Sequence, residues 1–232
     1  MFFFYKNINE AIEYKVLKEY KNNICLLLGD NYISRKDYIS LYDANKEIYE
    51  KLSMMDNELV LKSWCKNTKT DFHKLKSLME FYTNTKILID NHNNKFVYNH
   101  MHLDKKYLDE ILLKDDPNIQ LDENQRKVVL SDEDYTLVIA GAGAGKTTTI
   151  EAKVKYLIDK KHVAPSKIFI VSYTRKATKE LRDRCKKLGL PVVISTFHSI
   201  ANTIIKSTEE EKHNVATGDV MFNSIKKYLL EN

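Results

Sequence analysis

Residues 135–148 constrain the fold of this chain more than any other segment. They begin as a short apolar run, Tyr-Thr-Leu-Val-Ile-Ala, and continue into a loop in which glycine alternates with alanine. A helical pattern follows from about residue 145 to residue 161. A buried strand that turns through a glycine loop into a helix is therefore expected, and this unit is typical of an α/β domain.

The alternation of strand and helix is repeated twice after this segment. Residues 167–173 are predicted to form a second buried strand, followed by a helix from about residue 175 to residue 187. Residues 191–195 are predicted to form a third strand that leads into a helix from about residue 197. Strands separated by helices imply right-handed parallel crossovers. The predicted fold is therefore α/β, with a parallel sheet covered on both faces.

The glycine loop has the composition of a phosphate-binding loop, or P-loop. Its glycines allow the backbone to curl around phosphate oxygens, and the N-terminus of the following helix adds partial positive charge. Lys146 is expected to reach the β and γ phosphates, and the hydroxyl of Thr147 to complete the shell of a Mg²⁺ ion. The loop therefore predicts a site for Mg·ATP, with Lys146 and Thr147 as the catalytic residues. The predicted nucleotide-binding residues of the loop are Ala140, Gly141, Ala142, Gly143, Ala144, Gly145, Lys146, Thr147 and Thr148.

Residues 9–114 have helical periodicity without strand signals. We predict a helical bundle or hairpin, with Ser34 and Asp71 as the N-caps of its second and third helices. The sequence Asp-Asp-Pro-Asn at residues 115–118 has the turn chemistry of a boundary, since proline disfavours helix in the residue before it. The predicted domains are a helical N-terminal extension, residues 1–116, and a partial P-loop NTPase domain, residues 117–232.

Composition limits the compartment and the partners. The apolar opening at residues 1–5 is too short for a signal peptide or a membrane span, so a cytoplasmic protein with no membrane partner is expected. Cys25, Cys65 and Cys185 lie far apart and are expected to be reduced thiols. The net charge is only +5, but basic residues outnumber acidic ones between residues 145 and 190. That bias suits a polyanionic partner, although solvated helix faces would give the same composition.

Four short segments occur in an order and spacing that point to one family. They are Leu-Asp-Glu-Asn-Gln-Arg at 121–126, the loop at 140–148, Val-Ser-Tyr-Thr-Arg-Lys-Ala at 171–177, and Ser-Thr-Phe-His-Ser at 195–199. They resemble the Q motif and motifs I, Ia and Ib of the UvrD/Rep-like superfamily 1 DNA helicases, closest to the helicase IV-like branch. The resemblance covers about residues 118–205. It implies a RecA-like, helicase 1A-type domain that is incomplete in this chain.

The resemblance also implies which residues contact nucleotide and DNA. Gln125 would recognise adenine, because its amide offers one donor and one acceptor to the N6 and N7 edge of the base. Motifs Ia and Ib would face single-stranded or duplex DNA, with Tyr173 stacking on a base, although its ring could instead only close the core. Arg175 stands where relatives usually carry asparagine, which alters the expected DNA geometry. The implied DNA-binding residues are Tyr173, Thr174, Lys176, Thr196, His198 and Ser199.

The family's later motifs have no counterpart in this sequence. Hydrolysis in such enzymes needs an acidic pair that holds magnesium and orients water, and arginines from a second RecA-like domain. The acidic run at residues 209–211 does not follow an apolar strand and is predicted to be a solvated helix face. We therefore expect an open sheet edge, prone to association, and a chain that is inactive as a hydrolase by itself.

Three functions fit these features. The favoured one is the ATP-binding N-terminal part of an ATP-dependent DNA helicase, whose partners would include the missing helicase domains or another protein. The second is a nucleotide-dependent DNA- or protein-binding module without turnover. The third is a small P-loop kinase or other NTPase, for which the motifs at 171–177 and 195–199 would be coincidence.

Overall fold

The computed structural model describes residues 11–55, 57–208 and 227. Packing contacts divide the chain into two compact units, one ending at Tyr156 and the other beginning at Leu157. The acidic run at residues 209–211 lies outside the described residues. Within the described part of the chain, no helix combines the length and the apolarity needed to cross a membrane.

The first unit is built from helices. The longest of them, α5, has 32 residues, and it packs against α1 to form the centre of the unit. The boundary between the two units falls within the last of these helices, α8. The helices are α1 Ile12–Leu27, α2 Arg35–Ala44, α3 Lys46–Ser53, α4 Glu58–Asn67, α5 Phe72–Leu103, α6 Lys105–Glu110, α7 Glu123–Leu130 and α8 Lys146–Asp159.

Tyrosine rings form much of the core of the first unit. The ring of Tyr82 stacks on Tyr42 and on Tyr49, with centroid distances of 4.5 and 4.6 Å. The hydroxyl of Tyr20 donates a hydrogen bond of 2.8 Å to Oγ1 of Thr85, so this buried polar group has a partner. Burial raises the pKa of Tyr20 to about 12. The hydrogen bond from Tyr20 therefore fixes α1 against α5, and the stacked rings fix α2 and α3 against the same helix.

Both N-caps predicted from the sequence are present. Ser34 precedes α2, and its backbone N–H donates to the carboxylate of Asp37 over 2.7 Å. Asp71 precedes α5, the fifth helix and not the third as predicted, and its carboxylate accepts from the backbone N–H of Lys74 over 2.9 Å. Such side chains satisfy backbone groups that a helix end leaves without intrahelical partners. The predicted helical character of residues 9–114 is confirmed for the described residues.

The prediction of a buried strand at residues 135–140 is wrong. The segment forms no ladder with any other described residue, and Tyr135, Leu137 and Ile139 are 85–90% exposed. The β-forming composition is present, but strand structure depends on a neighbour that accepts and donates the ladder hydrogen bonds. The loop that follows this segment does turn into α8, as predicted.

The second unit contains the parallel sheet. Strand β1, Phe169–Ser172, pairs in parallel with β2, Val193–Thr196, so that Ile170 lies opposite Ile194. Helix α9, Arg175–Lys187, connects the two strands, and α10, Phe197–Thr208, follows β2 directly. The prediction of helices with a parallel sheet is confirmed, with two strands among the described residues where three were expected.

Only one face of this small sheet is covered by the described residues. Ile170 and Ile194 are buried on the face that packs against α9. Phe169, Val171 and Val193 point to the other face and are about half exposed. The predicted cover on both faces is therefore wrong for the described part of the chain. Alternation of buried and exposed residues along each strand is typical of a sheet with one packed face.

Candidate nucleotide site and nucleic-acid surface

Two glycines give the loop a sharp turn ahead of α8. Gly143 and Gly145 have φ angles of +75° and +72°, in the left-handed region that favours glycine. Helix α8 begins immediately afterwards at Lys146, and its first N–H groups lack intrahelical carbonyl partners. The loop therefore presents a helix N-terminus behind a tight turn, the arrangement that binds phosphate in many proteins.

The side chain of Lys146 lies over the loop itself. Its Nζ donates hydrogen bonds to the carbonyl oxygens of Ala140, at 3.1 Å, and Gly141, at 2.7 Å. Because the side chain is exposed, these bonds are exchangeable with other anionic or carbonyl acceptors. The ammonium group is thus held at the loop and close to where the predicted phosphates would lie.

The threonines after Lys146 occupy the first turn of α8. Thr147 and Thr148 are half-buried, and the buried Thr149 bonds through its hydroxyl to the carbonyl of Gly145 over 3.0 Å. A hydroxyl oxygen at Thr147 is a donor type that Mg²⁺ accepts together with phosphate oxygens and waters. The described residues contain no cluster of three His, Cys, Asp or Glu side chains that could hold a metal. The assignment of Thr147 as a magnesium ligand stays a prediction.

Gln125 lies directly beside the loop. It is the third residue of α7, where its Oε1 accepts the backbone N–H of Asp122 and its own N–H donates to the Asp122 carboxylate, at 3.0 and 2.9 Å. Its Nε2 lies 3.5 Å from the carbonyl oxygen of Ala144. A Cβ added at Gly145 would collide with this Nε2. The reciprocal bonds form a capping box that orients the amide. Sequence reasoning missed this role, although the Asp-x-x-Gln spacing signals it.

Arg126 has a structural role next to Gln125. Its Nε donates to the carbonyl of Leu121 over 2.9 Å, and its Nη2 contacts the carboxylate of Asp109 in α6 over 2.6 Å. Hydrogen bonds from Lys105 and then from Arg126 hold the pKa of Asp109 below its ordinary value. The guanidinium group therefore attaches the start of α7 to the N-terminal helices.

Lys153 connects the opposite end of α7 to the P-loop helix. Its Nζ, on α8, donates to the carbonyl oxygens of Val129 and Ser131, at 3.0 and 2.5 Å. These carbonyls belong to the last turn of α7 and the residue after it, where helices leave acceptors without partners. The sequence alone identifies Lys153 only as one of the basic residues between residues 145 and 190. Its bonds fix the helix that carries Gln125 against the helix that carries Lys146.

The second unit has a cavity at the carboxyl ends of its two strands. Its volume is about 610 Å³. Four of the six predicted DNA-binding residues line it, together with two arginines, Arg175 and Arg182. Arg182 is held there by a hydrogen bond of 2.8 Å to the carbonyl of Ile194. The lining residues are Tyr173, Arg175, Thr178, Arg182, Ser195, Thr196, His198, Ser199 and Asn202.

The remaining predicted DNA-binding residues, Thr174 and Lys176, do not line this cavity. Thr174 is the N-cap of α9, and its hydroxyl oxygen accepts the backbone N–H of Ala177 over 3.1 Å. Thr196 has a similar task in α10, where its hydroxyl oxygen accepts from the N–H of Ser199 over 3.2 Å. Each threonine still has its hydroxyl proton to donate, so capping and phosphate contact are chemically compatible. Lys176 is exposed.

Comparison with known proteins supports the same motifs. Residues 121–227 match the family model described as the UvrD/REP helicase N-terminal domain. The chain is 37% identical over 119 residues to a probable DNA helicase II homolog of Mycoplasma pneumoniae. The aligned region covers 49% of this chain and 16% of that protein. It is 36% identical over 92 residues to the ATP-dependent DNA helicase UvrD1 of Mycobacterium leprae. This aligned region covers 38% of this chain and 12% of that protein.

A third relative, the ATP-dependent DNA helicase PcrA of Staphylococcus aureus, is 33% identical over 90 residues, or 37% of this chain and 12% of that protein. The chain thus spans less than one-fifth of the length of these relatives. The resemblance predicted from the four motifs is confirmed. Residues 121–227 match the N-terminal domain of UvrD/REP helicases, and the relatives are UvrD, PcrA and helicase II proteins that align with part of the chain.

Proposed function

We propose that the chain is the ATP-binding N-terminal part of an ATP-dependent DNA helicase. The observation that carries the proposal is the position of Gln125, whose amide lies against Ala144 and Gly145 of the P-loop. From this position the amide can form hydrogen bonds with the edge of an adenine base while the loop binds the phosphates. The relatives named above, two ATP-dependent DNA helicases and a probable DNA helicase II homolog, support the same conclusion.

In the proposed complex the loop at residues 140–148 holds the triphosphate. Lys146 exchanges its carbonyl partners on Ala140 and Gly141 for β and γ phosphate oxygens, which bind an ammonium more strongly. Thr147 supplies one hydroxyl oxygen to Mg²⁺, and the metal neutralises phosphate charge when it is bound. Gln125 supplies a donor and an acceptor to the adenine edge and thereby favours ATP over GTP.

We also propose that residues 117–232 form part of a RecA-like, helicase 1A-type domain, with residues 1–116 as a helical extension. The family match, which begins at residue 121, supports a functional boundary near this point. In this proposal residues 135–140 become a strand when a neighbouring strand supplies ladder hydrogen bonds. Their β-forming composition and their exposure are both suited to such pairing.

The cavity of the second unit is the proposed DNA-binding surface. Tyr173 is largely exposed at the end of β1 and offers a ring face to a base. Arg175 and Arg182 bring positive charge to the same cavity as the hydroxyl and imidazole groups of Ser199 and His198. Aromatic stacking combined with cationic contacts to phosphate is typical of sequence-independent binding of a single strand.

Replacement of Tyr173 by alanine is expected to weaken binding of single-stranded DNA about tenfold, because stacking on one base contributes about 1–3 kcal/mol. Fluorescence anisotropy with a labelled oligothymidine measures the dissociation constant. The salt dependence should keep its slope, since no phosphate contact is removed. Tyr98→Ala, which removes an exposed tyrosine from α5, is the matched control. Equal losses in the two variants would contradict a stacking role for Tyr173.

The chain by itself is expected to bind Mg·ATP without appreciable turnover. Hydrolysis requires a carboxylate that orients the attacking water and cationic groups that neutralise the γ phosphate. After motif Ib the sequence offers only the acidic run at residues 209–211, which follows no apolar strand. Phosphate release should therefore equal that of Lys146→Ala, with or without single-stranded DNA, while calorimetry detects ATP binding. Turnover stimulated by DNA would show that the chain carries a complete hydrolytic site.

A further inference from the structure

The N-terminal helices contact α7 close to the residue that is proposed to read the base. Asp109 lies on α6, and its carboxylate contacts Nη2 of Arg126, the residue next to Gln125. Arg126 also binds the carbonyl of Leu121, which precedes α7. A charge-assisted hydrogen bond of 2.6 Å with an arginine side chain that is only 15% exposed constrains position more than a solvated surface pair does.

Buried apolar side chains in α6 and directly after it anchor the segment that carries Asp109. Leu108, beside Asp109, has no exposed surface, and Ile111 and Leu112 are at most 3% exposed. Asp109 is therefore fixed by a well-packed core, while its carboxylate remains accessible to Arg126 and Lys105. The start of α7 takes its position from residues that lie before residue 116.

A second contact holds the other end of the same segment. The carboxylates of Glu133 and Asp134 accept the backbone N–H groups of Arg35 and Lys36, at 2.8 and 2.7 Å. These N–H groups belong to the first turn of α2, where acceptors are otherwise lacking. The segment that includes Gln125 is thus attached to the N-terminal helices before and after α7.

We propose that Asp109 is a positioning residue for adenine recognition, acting through Arg126 on the orientation of Gln125. The N-terminal helices then form part of the nucleotide site and set its base preference. This inference rests on the proposed function, since it requires that Gln125 reads the base. It assigns a task to a region outside the residues that match the helicase family.

The geometry explains why a small movement would matter. The Gln125 amide is oriented by the capping box at the start of α7, and its Nε2 lies 3.5 Å from the Ala144 carbonyl. A shift of about 1 Å at the start of the helix would carry the amide out of hydrogen-bonding range of a bound base. The phosphate contacts come from another segment, so they would be kept. Loss of the Asp109 contact should therefore reduce affinity for ATP and leave affinity for GTP nearly unchanged.

The test compares the dissociation constants of Mg·ATP and Mg·GTP by isothermal calorimetry. Asp109→Asn is expected to weaken ATP binding about tenfold, the effect of losing about 1.4 kcal/mol. Binding of GTP should change less than twofold. Asp109→Glu should retain most of the preference, because it preserves the carboxylate. Glu123→Gln is the matched control. It removes an ion pair between Glu123 and Lys127, and this pair lies within α7 and makes no contact with the N-terminal helices.

The outcomes separate this inference from the proposed function. A wild-type chain that binds neither nucleotide, or binds both equally, overturns both. A wild-type preference for ATP that Gln125→Ala removes and Asp109→Asn leaves intact overturns only the positioning role. A parallel loss of both affinities with a lower melting temperature would assign Asp109 to general stability and would also overturn it.

Discussion

Lys146→Ala is expected to abolish binding of Mg·ATP while the chain stays folded. The ammonium group is the one loop cation aimed at the β and γ phosphates in the proposed complex, and hydrogen bonds to charged groups contribute about 1.5–3 kcal/mol. Loss of this bond alone should therefore raise the dissociation constant by about 10- to 150-fold. The phosphate charge that is then left unneutralised should raise it further. Calorimetric titration with Mg·ATP measures the loss.

Stability should change little in the same variant. Among the described residues, Lys146 donates only to the carbonyls of Ala140 and Gly141, in an exposed loop where water replaces the lost bonds. Lys127→Ala is the control, because it removes one positive charge from α7 without touching the loop. An affinity in Lys146→Ala equal to that of the control would reject the assignment of the phosphate site. Loss of folding in Lys146→Ala would contradict the exchangeable bonds that the structure shows.

The local features of the site could be predicted from the sequence. A glycine loop followed by Lys-Thr-Thr predicts a curled backbone and a helix from about residue 145. The structure has positive φ angles at Gly143 and Gly145 and a helix that begins at Lys146. The caps at Ser34 and Asp71 were predictable for the same reason, since short polar side chains satisfy backbone groups within three residues. Such features depend on neighbours along the chain and so leave a signature in it.

Features that depend on distant partners could not be predicted in this way. Residues 135–140 have the composition of a buried strand, but the described residues give them no ladder partner. Arg126 is one of 37 lysines and arginines, and Asp109 is one of 32 aspartates and glutamates. Nothing in their spacing along the sequence marks them as a pair. Lys153 is similar, because its partners are backbone carbonyls that any sequence provides. The sequence therefore indicated the chemistry of the site better than the contacts that hold it.

Gly145→Ala is expected to impair both the fold of the loop and the reading of the base. Its φ of +72° is unfavourable for alanine by about 1–2 kcal/mol. In addition, the new Cβ would collide with Nε2 of Gln125, so the amide must move from the position that supports adenine recognition. We expect the free energy of unfolding to fall by about 1–2 kcal/mol. We also expect the preference for ATP over GTP to disappear, in addition to a general weakening of nucleotide binding.

Two neighbouring glycines separate these effects. Gly143 also has a positive φ, +75°, but a Cβ there meets no atom within 4 Å, so Gly143→Ala should lose stability and keep the base preference. Gly141 has neither a positive φ nor a close neighbour, so Gly141→Ala should retain the stability of the nucleotide-free chain. Urea denaturation and calorimetry with both nucleotides measure the series. If Gly143→Ala and Gly145→Ala have the same ratio of ATP to GTP affinity, the contact between Gly145 and Gln125 has no part in recognition. If only Gly145→Ala loses the ratio, that contact is what couples the phosphate loop to the base.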